Sequence, residues 1–277
     1  MQKSQTIRPV TPTAILAQGL AELLANAKQA TLEPIQIERF ERLANIASGL
    51  DPYIAQCTTE ESEDLRMLVE RTQQNQWSDK FGEGETVVEL ESEMLSGHVE
   101  GQFLKFLIHI SKATRILEIG MFTGYATLAM AESIPENGKI VACELDPYTA
   151  DFARESFVRA GVSDKIDIRI GSAHESLIQL SKEGLKFDLI FIDAEKPGYS
   201  RYFDAILDAD LLSDHGFMVV DNTLLQGEPY LNSRSENGEA IRGFNEHVSK
   251  DARVEQVLIP LRDGLSLIRR VGVGENQ

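Results

Sequence analysis

The chain has little cysteine, no long apolar run and no basic surplus. Two cysteines, Cys57 and Cys143, cannot build a disulfide framework, and no CxxC pair occurs. Cys143 ends an apolar run and reads as a small core residue. No apolar stretch approaches the roughly 20 residues that span a bilayer. Residues 1–5 have no apolar signal core behind them. These absences exclude a membrane-spanning helix and make the cytoplasm the expected location. With 27 Lys and Arg against 44 Asp and Glu, the formal charge is −17. A general nucleic-acid binder would need the opposite footprint. The acidic surplus reads as solubility. There is no HExxH and no Cys/His cluster, so zinc has no ligand set.

What is present is a globular composition in 277 residues, 42% hydrophobic and 26% charged. That length suits one large domain, or a medium domain with an extension. Residues from about 12 to 75 read as helical. Leu16, Leu20, Leu23 and Leu24 recur at helical spacing. Ile35, Ile37, Phe40, Leu43 and Ile46 form a second stripe, expected to stop at Gly49 and Asp51-Pro52. A third helix is expected from Thr58, with Glu61 closing a capping box. Residues 73–85 read as a connector. The expected division is an N-terminal helical extension over 1–88 and a core over 89–277.

From residue 89 onward the pattern changes. A helix carries Phe103, Leu104, Leu107 and Ile108. Strands are expected at 115–119, 139–143, 166–170, 188–192 and 217–220. Helices alternate with them at 123–133, 147–160, 173–181 and 199–211. Repeated βα units imply a parallel sheet with right-handed crossovers. After a helix at 239–249, two strands at 254–260 and 265–270 flank an Asp263-Gly264 turn. A terminal antiparallel hairpin on a parallel sheet is unlike a plain dinucleotide-binding fold.

Several strands end in oxygen-rich side chains. Glu118 precedes Ile119-Gly120, Asp193 follows Phe191-Ile192, and Asp221-Asn222 follow Val219-Val220. Ligands of open α/β sheets bind beyond the carboxyl ends of the strands. Gly120 and Gly124 permit a tight turn beside a ligand, though their spacing is not GxGxxG. Glu144, at the second strand end, can accept from both hydroxyls of a ribose, or stand as a solvated carboxylate. Asp146 and Pro147 read as a helix cap and first turn. Asp193, Asp221 and Asn222 lie on strands expected to be neighbours. Three oxygen ligands of that kind suit Mg²⁺, with Mn²⁺ and Ca²⁺ as alternatives. Lys196 is either a base beside that cation, or a lysine that is solvated or paired with Glu195.

Together these segments resemble the cation-dependent O-methyltransferases of the catechol and caffeoyl-CoA type. The resemblance runs from about residue 91 to 271. It rests on Met94-Leu95-Ser96, Glu100 to Leu104, Leu117 to Tyr125, Phe191 to Lys196, Asp221 to Leu224 and Asp263-Gly264. It implies a Rossmann-like α/β fold with a mostly parallel seven-stranded sheet and a C-terminal antiparallel hairpin. It implies S-adenosylmethionine contacts at Met94, Ser96, Glu118, Gly120, Tyr125, Ala126, Glu144, Ala173 and Asp193. It implies metal at Asp193, Asp221 and Asn222, with Lys196 as base and Asp193 beside it in catalysis. It also implies a homodimer and a small vicinal-diol or enediol substrate, with no nucleic-acid or membrane partner. Two positions depart: Ala126 stands where the family commonly has Ser, and Glu195 where it has Asp.

A narrower resemblance joins Met94 to His98, Asn222 to Glu228, Pro260 to Leu265, Asp51 to Tyr53 and Cys57 to Thr59. These segments are similar to the O-methyltransferases of cyanobacterial mycosporine biosynthesis, which form 4-deoxygadusol from its demethyl precursor. His98 is then either a substrate contact or a structural histidine. Two other readings compete. A nicotinamide dehydrogenase shares the ribose acid but lacks its phosphate loop here. A binding protein that kept only the fold has no need of Asp193, Lys196, Asp221 and Asn222.

Overall fold

The computed structural model describes residues 10–29, 33–232 and 234–272. Residues 1–5, read above for a signal core, lie outside these. Among the described residues, seven strands make one sheet in the order β3-β2-β1-β4-β5-β7-β6. β1 (Arg115–Ile119), β2 (Lys139–Glu144), β3 (Ile166–Ile170), β4 (Phe187–Ile192) and β5 (Leu212–Val220) run parallel. β6 (Val254–Ile259) and β7 (Leu265–Arg270) form the antiparallel hairpin, with β7 against β5. This is the expected topology. The central strands are apolar runs because helices cover both their faces. Ile116, Leu117, Leu189 and Ile190 have no exposed surface.

The helices are α1 (Pro12–Gln29), α2 (Pro34–Cys57), α3 (Glu63–Gln74), α4 (Trp77–Gly82), α5 (His98–Ser111), α6 (Tyr125–Ser133), α7 (Pro147–Arg159), α8 (Ala173–Lys182), α9 (Tyr199–Asp208) and α10 (Glu236–Lys250). Leu65, Leu104, Tyr125 and Phe157, from α3, α5, α6 and α7, pack on one sheet face. Leu177, Phe203 and Phe244, from α8, α9 and α10, pack on the other. Asp146 caps α7 as expected, accepting from the Tyr148 N–H at 2.8 Å. Cys143 is buried in β2. No helix among the described residues is long and apolar enough to cross a membrane.

Four local expectations fail. The second helix does not stop at Gly49: α2 continues through Pro52 to Cys57. Proline removes one helical N–H, but the carbonyl it would serve belongs to exposed Ser48, which water can reach. Thr58 does not start α3. It ends α2, its hydroxyl donating to the Ile54 carbonyl at 2.7 Å. Ser62 caps α3 instead, accepting from the Leu65 N–H, while Glu61 accepts from the Tyr125 hydroxyl. The connector contains α4, too short to show a period. Its Trp77 is buried against Phe122, Tyr148 and Phe152 and donates to the Thr72 carbonyl. β5 begins five residues early, its first half masked by exposed Asp214 and His215.

Near the start of β4, Asp188 ties three strands together. Its carboxylate accepts from the N–H groups of Thr114 and Arg115, the Thr114 hydroxyl and the Ser213 hydroxyl. Burial pushes its pKa up, but these bonds outweigh burial and hold it below the usual carboxylate value. A lowered folded pKa means stability present above the unfolded value and lost as pH falls through the folded one. We therefore expect Asp188→Ala to cost about 2 kcal/mol near neutral pH. The gap to the parent should shrink toward about pH 3. Urea unfolding at both pH values checks this, and a gap that is independent of pH refutes it.

Candidate functional site

The tips of β1, β4 and β5 stand side by side. The Asp193 N–H donates to the Ile119 carbonyl at 2.9 Å, and the Asp221 N–H to the Ile192 carbonyl at 2.9 Å. The backbone therefore sets Gly120, Asp193 and Asp221 in a row. Gly120 has φ +91, and a Cβ there would lie 2.0 Å from the Asp193 carbonyl oxygen. Only glycine lets these two loops touch. Gly124, also at positive φ, presses against the Phe157 ring in the same way.

Lys196 reaches back into this row. Its Nζ lies 2.6 Å from Asn222 Oδ1, 2.8 Å from the Tyr199 hydroxyl, and 3.1 Å from both Asp193 Oδ1 and the Ala194 carbonyl. Asn222 holds a left-handed conformation, φ 58, that turns the chain sharply after Asp221. Asp221 is buried, and its Oδ1 has no hydrogen-bond partner among the described residues. Burial, then the charge of Asp193, pushes its carboxyl up to about 7. A buried carboxylate oxygen without a partner is costly unless something fills the gap.

Two residues complete the cluster that sequence reading did not assign. Glu100 is 1% exposed, and its Oε1 also lacks a partner among the described residues. Burial, then the charge of Asp221, pushes its carboxyl well above the usual range. Arg262, on the β6–β7 turn, lies 3.5 Å from Glu100 and donates to the Leu95 carbonyl at 3.2 Å. Its guanidinium lies against Gly97, whose positive φ, +79, itself disfavours any residue with a Cβ. Glu100 did carry a signal. With buried Leu104 and Ile108 it falls at i, i+4, i+8, a charge on the apolar stripe of α5. Arg262 had none, since its partners lie far away in sequence.

The other strand ends form a second group along the rim. Glu144 Oε2 accepts from the Met121 and Phe122 N–H groups at 3.1 and 2.6 Å, and Oε1 from the Asp146 N–H at 2.9 Å. It is thus not a solvated carboxylate. Burial raises its pKa despite these bonds. Glu118 is buried, accepts from the Thr127 hydroxyl, and keeps Oε1 without a partner among the described residues. Burial drives its pKa well up. The Gly171 N–H donates to the Glu144 carbonyl, which brings the start of α8, Ala173, to the same rim. Met94 is half-exposed and Ser96 buried, in the segment that Arg262 holds. Tyr125 and Ala126 are buried at the start of α6, and the Tyr125 hydroxyl is turned to Glu61. His98 Nε2 lies 2.5 Å from the Thr59 carbonyl, which gives it a structural partner. Glu195 accepts from the Tyr202 hydroxyl, not from Lys196.

Residues 55–271 match the sequence model of a family described as O-methyltransferase. Caffeoyl-CoA O-methyltransferase 1 of Eucalyptus globulus is 35% identical over 181 residues, covering 62% of this chain and 73% of that protein. Catechol O-methyltransferase of Niastella koreensis is 35% identical over 176 residues, covering 61% and 78%. Among solved structures, the SAH-bound methyltransferase of Podospora anserina superposes with a TM-score of 0.71 at 28% identity, covering 82% of this chain and 96% of that one.

Proposed function

This chain belongs to the O-methyltransferase family, and from that premise we propose a divalent-cation-dependent methyl transfer to one of two adjacent substrate oxygens. It is an S-adenosylmethionine-dependent methyltransferase, in keeping with its SAH-bound structural relative. The observation that carries the cation reading is the set of oxygens around one positive nitrogen. Asp193 and Asn222 converge on Lys196 Nζ, with the unpartnered Asp221 Oδ1 beside them. An oxygen-only set that already gathers around a cation fits Mg²⁺, and Mn²⁺ or Ca²⁺ less selectively. Asp193, Asp221 and Asn222 would hold the ion. When bound, it supplies positive charge that favours the ionised form of a nearby hydroxyl.

S-Adenosylmethionine supplies a methyl group on sulfur, open to in-line attack by an oxygen. The protein's residues supply position and proton handling. Backbone N–H groups take three of the lone-pair sites of Glu144 and fix its carboxylate at the rim, where it would accept from a ribose hydroxyl. Gly120 brings backbone close to the cofactor, and the free Glu118 Oε1 offers a further acceptor. Ala126 lacks the hydroxyl of the usual serine, and the Tyr125 hydroxyl is engaged elsewhere. Both are proposed to contribute backbone only. Met94, Ser96 and Ala173 complete the cofactor contacts. Lys196 Nζ stands among four oxygens, and in its neutral form it would receive the hydroxyl proton and become the ammonium that those oxygens accept from. Alignment of the acceptor oxygen with the methyl carbon is the main contribution.

The proposed acceptor is demethyl-4-deoxygadusol, giving 4-deoxygadusol. The segments Asn222 to Glu228 and Pro260 to Leu265 support it, and they flank the cluster. A phenolic diol is the second reading, favoured by the named activities of the Eucalyptus and Niastella relatives. Cytoplasmic location and a homodimer belong to the same proposal. Comparing kcat/KM for demethyl-4-deoxygadusol, caffeoyl-CoA and a simple catechol ranks the acceptors. Excess EDTA should abolish turnover, and added Mg²⁺ should restore it. Full activity in EDTA would refute the cation. Asp221→Ala should lose the Mg²⁺-dependent rate while S-adenosylhomocysteine still binds.

A further inference from the structure

Thr223, the residue after Asn222, forms one corner of a second recess. A cavity of about 400 Å³ opens between the 3-10 segment Leu225–Tyr230, α10 and β6. That volume lies within the range of small-molecule pockets. Asp193, Lys196, Asp221 and Asn222 do not line it. Three polar atoms of its lining residues are buried without a hydrogen-bond partner among the described residues. They are Thr223 Oγ1, Asn245 Oδ1 and Arg234 Nε. A buried orphan of this kind costs free energy until something fills its place. Gathered on one cavity, the three describe what the filler must offer.

Each orphan is held by bonds made elsewhere. Asn245 Nδ2 donates to the Thr223 carbonyl at 2.8 Å, which leaves Oδ1 as an acceptor only. Thr223 is fully buried, and its N–H donates to the Gly264 carbonyl at 3.0 Å. Its hydroxyl can therefore donate or accept but cannot leave. Arg234 donates through Nη1 to the Asn232 carbonyl at 3.2 Å. Its Nε stands 3.3 Å from Glu239 Oε1 without hydrogen-bond alignment. Glu239 is exposed and lies off the cavity wall, so this pair is weak and screened. The guanidinium still calls for an oxygen acceptor. Exposed Arg242 is already paired with Glu246 at 3.0 Å. Leu224, Pro229 and Leu258 supply an apolar wall.

We propose that this cavity is a second binding site, for a small hydroxylated carboxylic acid. The carboxylate meets Arg234, where a charge-assisted hydrogen bond is the strongest filler. A ligand hydroxyl donates to Asn245 Oδ1, and the Thr223 hydroxyl bonds another ligand oxygen. An ammonium could also donate to Asn245, but the charge of Arg234 repels it. A phosphate or sulfate would set a bare oxygen against Asn245 Oδ1, acceptor against acceptor. The carbon skeleton lies on Leu224, Pro229 and Leu258. No step of the proposed methyl transfer enters this inference, so the two stand or fall separately. Because Thr223 adjoins Asn222, a ligand here also steadies the loop beside the cluster.

Quinate, a cyclohexane bearing a carboxylate and several hydroxyls, is the probe. Isothermal titration of the full chain should show saturable quinate binding in the millimolar range or tighter. Cyclohexanecarboxylate lacks the hydroxyls, and myo-inositol lacks the carboxylate. Each should bind at least about tenfold more weakly. Arg234→Met should weaken quinate by a similar factor, with unchanged affinity for S-adenosylhomocysteine as the sign of an intact fold. Thr223→Val should also weaken quinate, yet leave the thermal midpoint unchanged or higher, since the hydroxyl it removes has no partner among the described residues. Asp221→Ala should bind quinate as the parent does, which separates the cavity from the cluster. Absence of quinate binding would mean that the cavity holds water alone, and would overturn the proposal. So would equal affinity for the three probes, quinate affinity that survives both cavity variants, or its loss in Asp221→Ala.

Discussion

Lys196→Ala should lower kcat by about 10²- to 10⁴-fold, the usual share of a positioned proton acceptor. The side chain serves three roles at one point. It donates to Asp193 and Asn222, it donates to the Tyr199 hydroxyl, and its charge acts on Asp221, whose Oδ1 has no partner among the described residues. Removing it takes away a proton carrier but leaves the oxygens standing. Cofactor affinity, which we propose is set along the rim at Glu144 and Gly120, should change little. Affinity for Mg²⁺ should hold or rise, because a competing positive charge has left Asn222 Oδ1. Lys196→Arg should not rescue the rate, since a broad, permanently charged guanidinium neither fits the same four oxygens nor takes up a proton. Turnover beside isothermal titration of S-adenosylhomocysteine and Mg²⁺ separates these effects. An unchanged kcat removes Lys196 from the chemistry. A collapse of Mg²⁺ affinity makes it a structural support instead.

Gly120→Ala should damage fold and site together. The added Cβ would lie 2.0 Å from the Asp193 carbonyl oxygen and 2.6 Å from its carbon. Both belong to backbone, which cannot swing aside as a flexible side chain can. The positive φ adds strain for any residue with a Cβ. Overpacking of this kind costs about 1–3 kcal/mol. With the strain included, the melting temperature should fall by roughly 5–10 °C. The relief available is to push the Asp193 loop outward, so turnover should drop well over tenfold even where the fold survives. Gly161→Ala is the matched comparison. Gly161 also has positive φ, +68, but no atom lies within 4 Å of its Cβ position. Only the backbone strain of about 1 kcal/mol should appear there, with normal turnover. Equal melting temperatures for the two variants would show that the Gly120 contact is unimportant.

The parallel sheet and its rim were legible because buried strands leave apolar runs and their ends leave carboxylates. Glu118, Asp193, Asp221 and Asn222 could be placed that way. Glu100 could not be placed from strand ends, because it belongs to a helix. Its position on the apolar stripe of α5 was the only trace. Arg262 was invisible, since its partner Leu95 is separated from it by most of the core sequence. Local rules failed where solvent or tertiary contact overruled them. Pro52 suggested a stop, but its side of α2 faces water and the helix loses little. α4 is too short to announce itself, yet Trp77 anchors it in a nest of three aromatic rings.

The order of the sheet also has a consequence for a chain under synthesis. β1 lies between β2 and β4, so a ribosome must deliver β4 before the central strand gains both neighbours. A chain paused just after β4 already holds Glu118, Glu144, Asp193 and the Gly120 turn. It has neither Asp221 nor Asn222, and β7, which carries the turn with Arg262 to its place, comes last of the strands. The rim proposed to meet the nucleoside is therefore written before the cluster proposed to meet the acceptor. On that assignment, competence to transfer arrives only when the final hairpin closes, which would make catalytic turnover a late and strict reporter of completed folding.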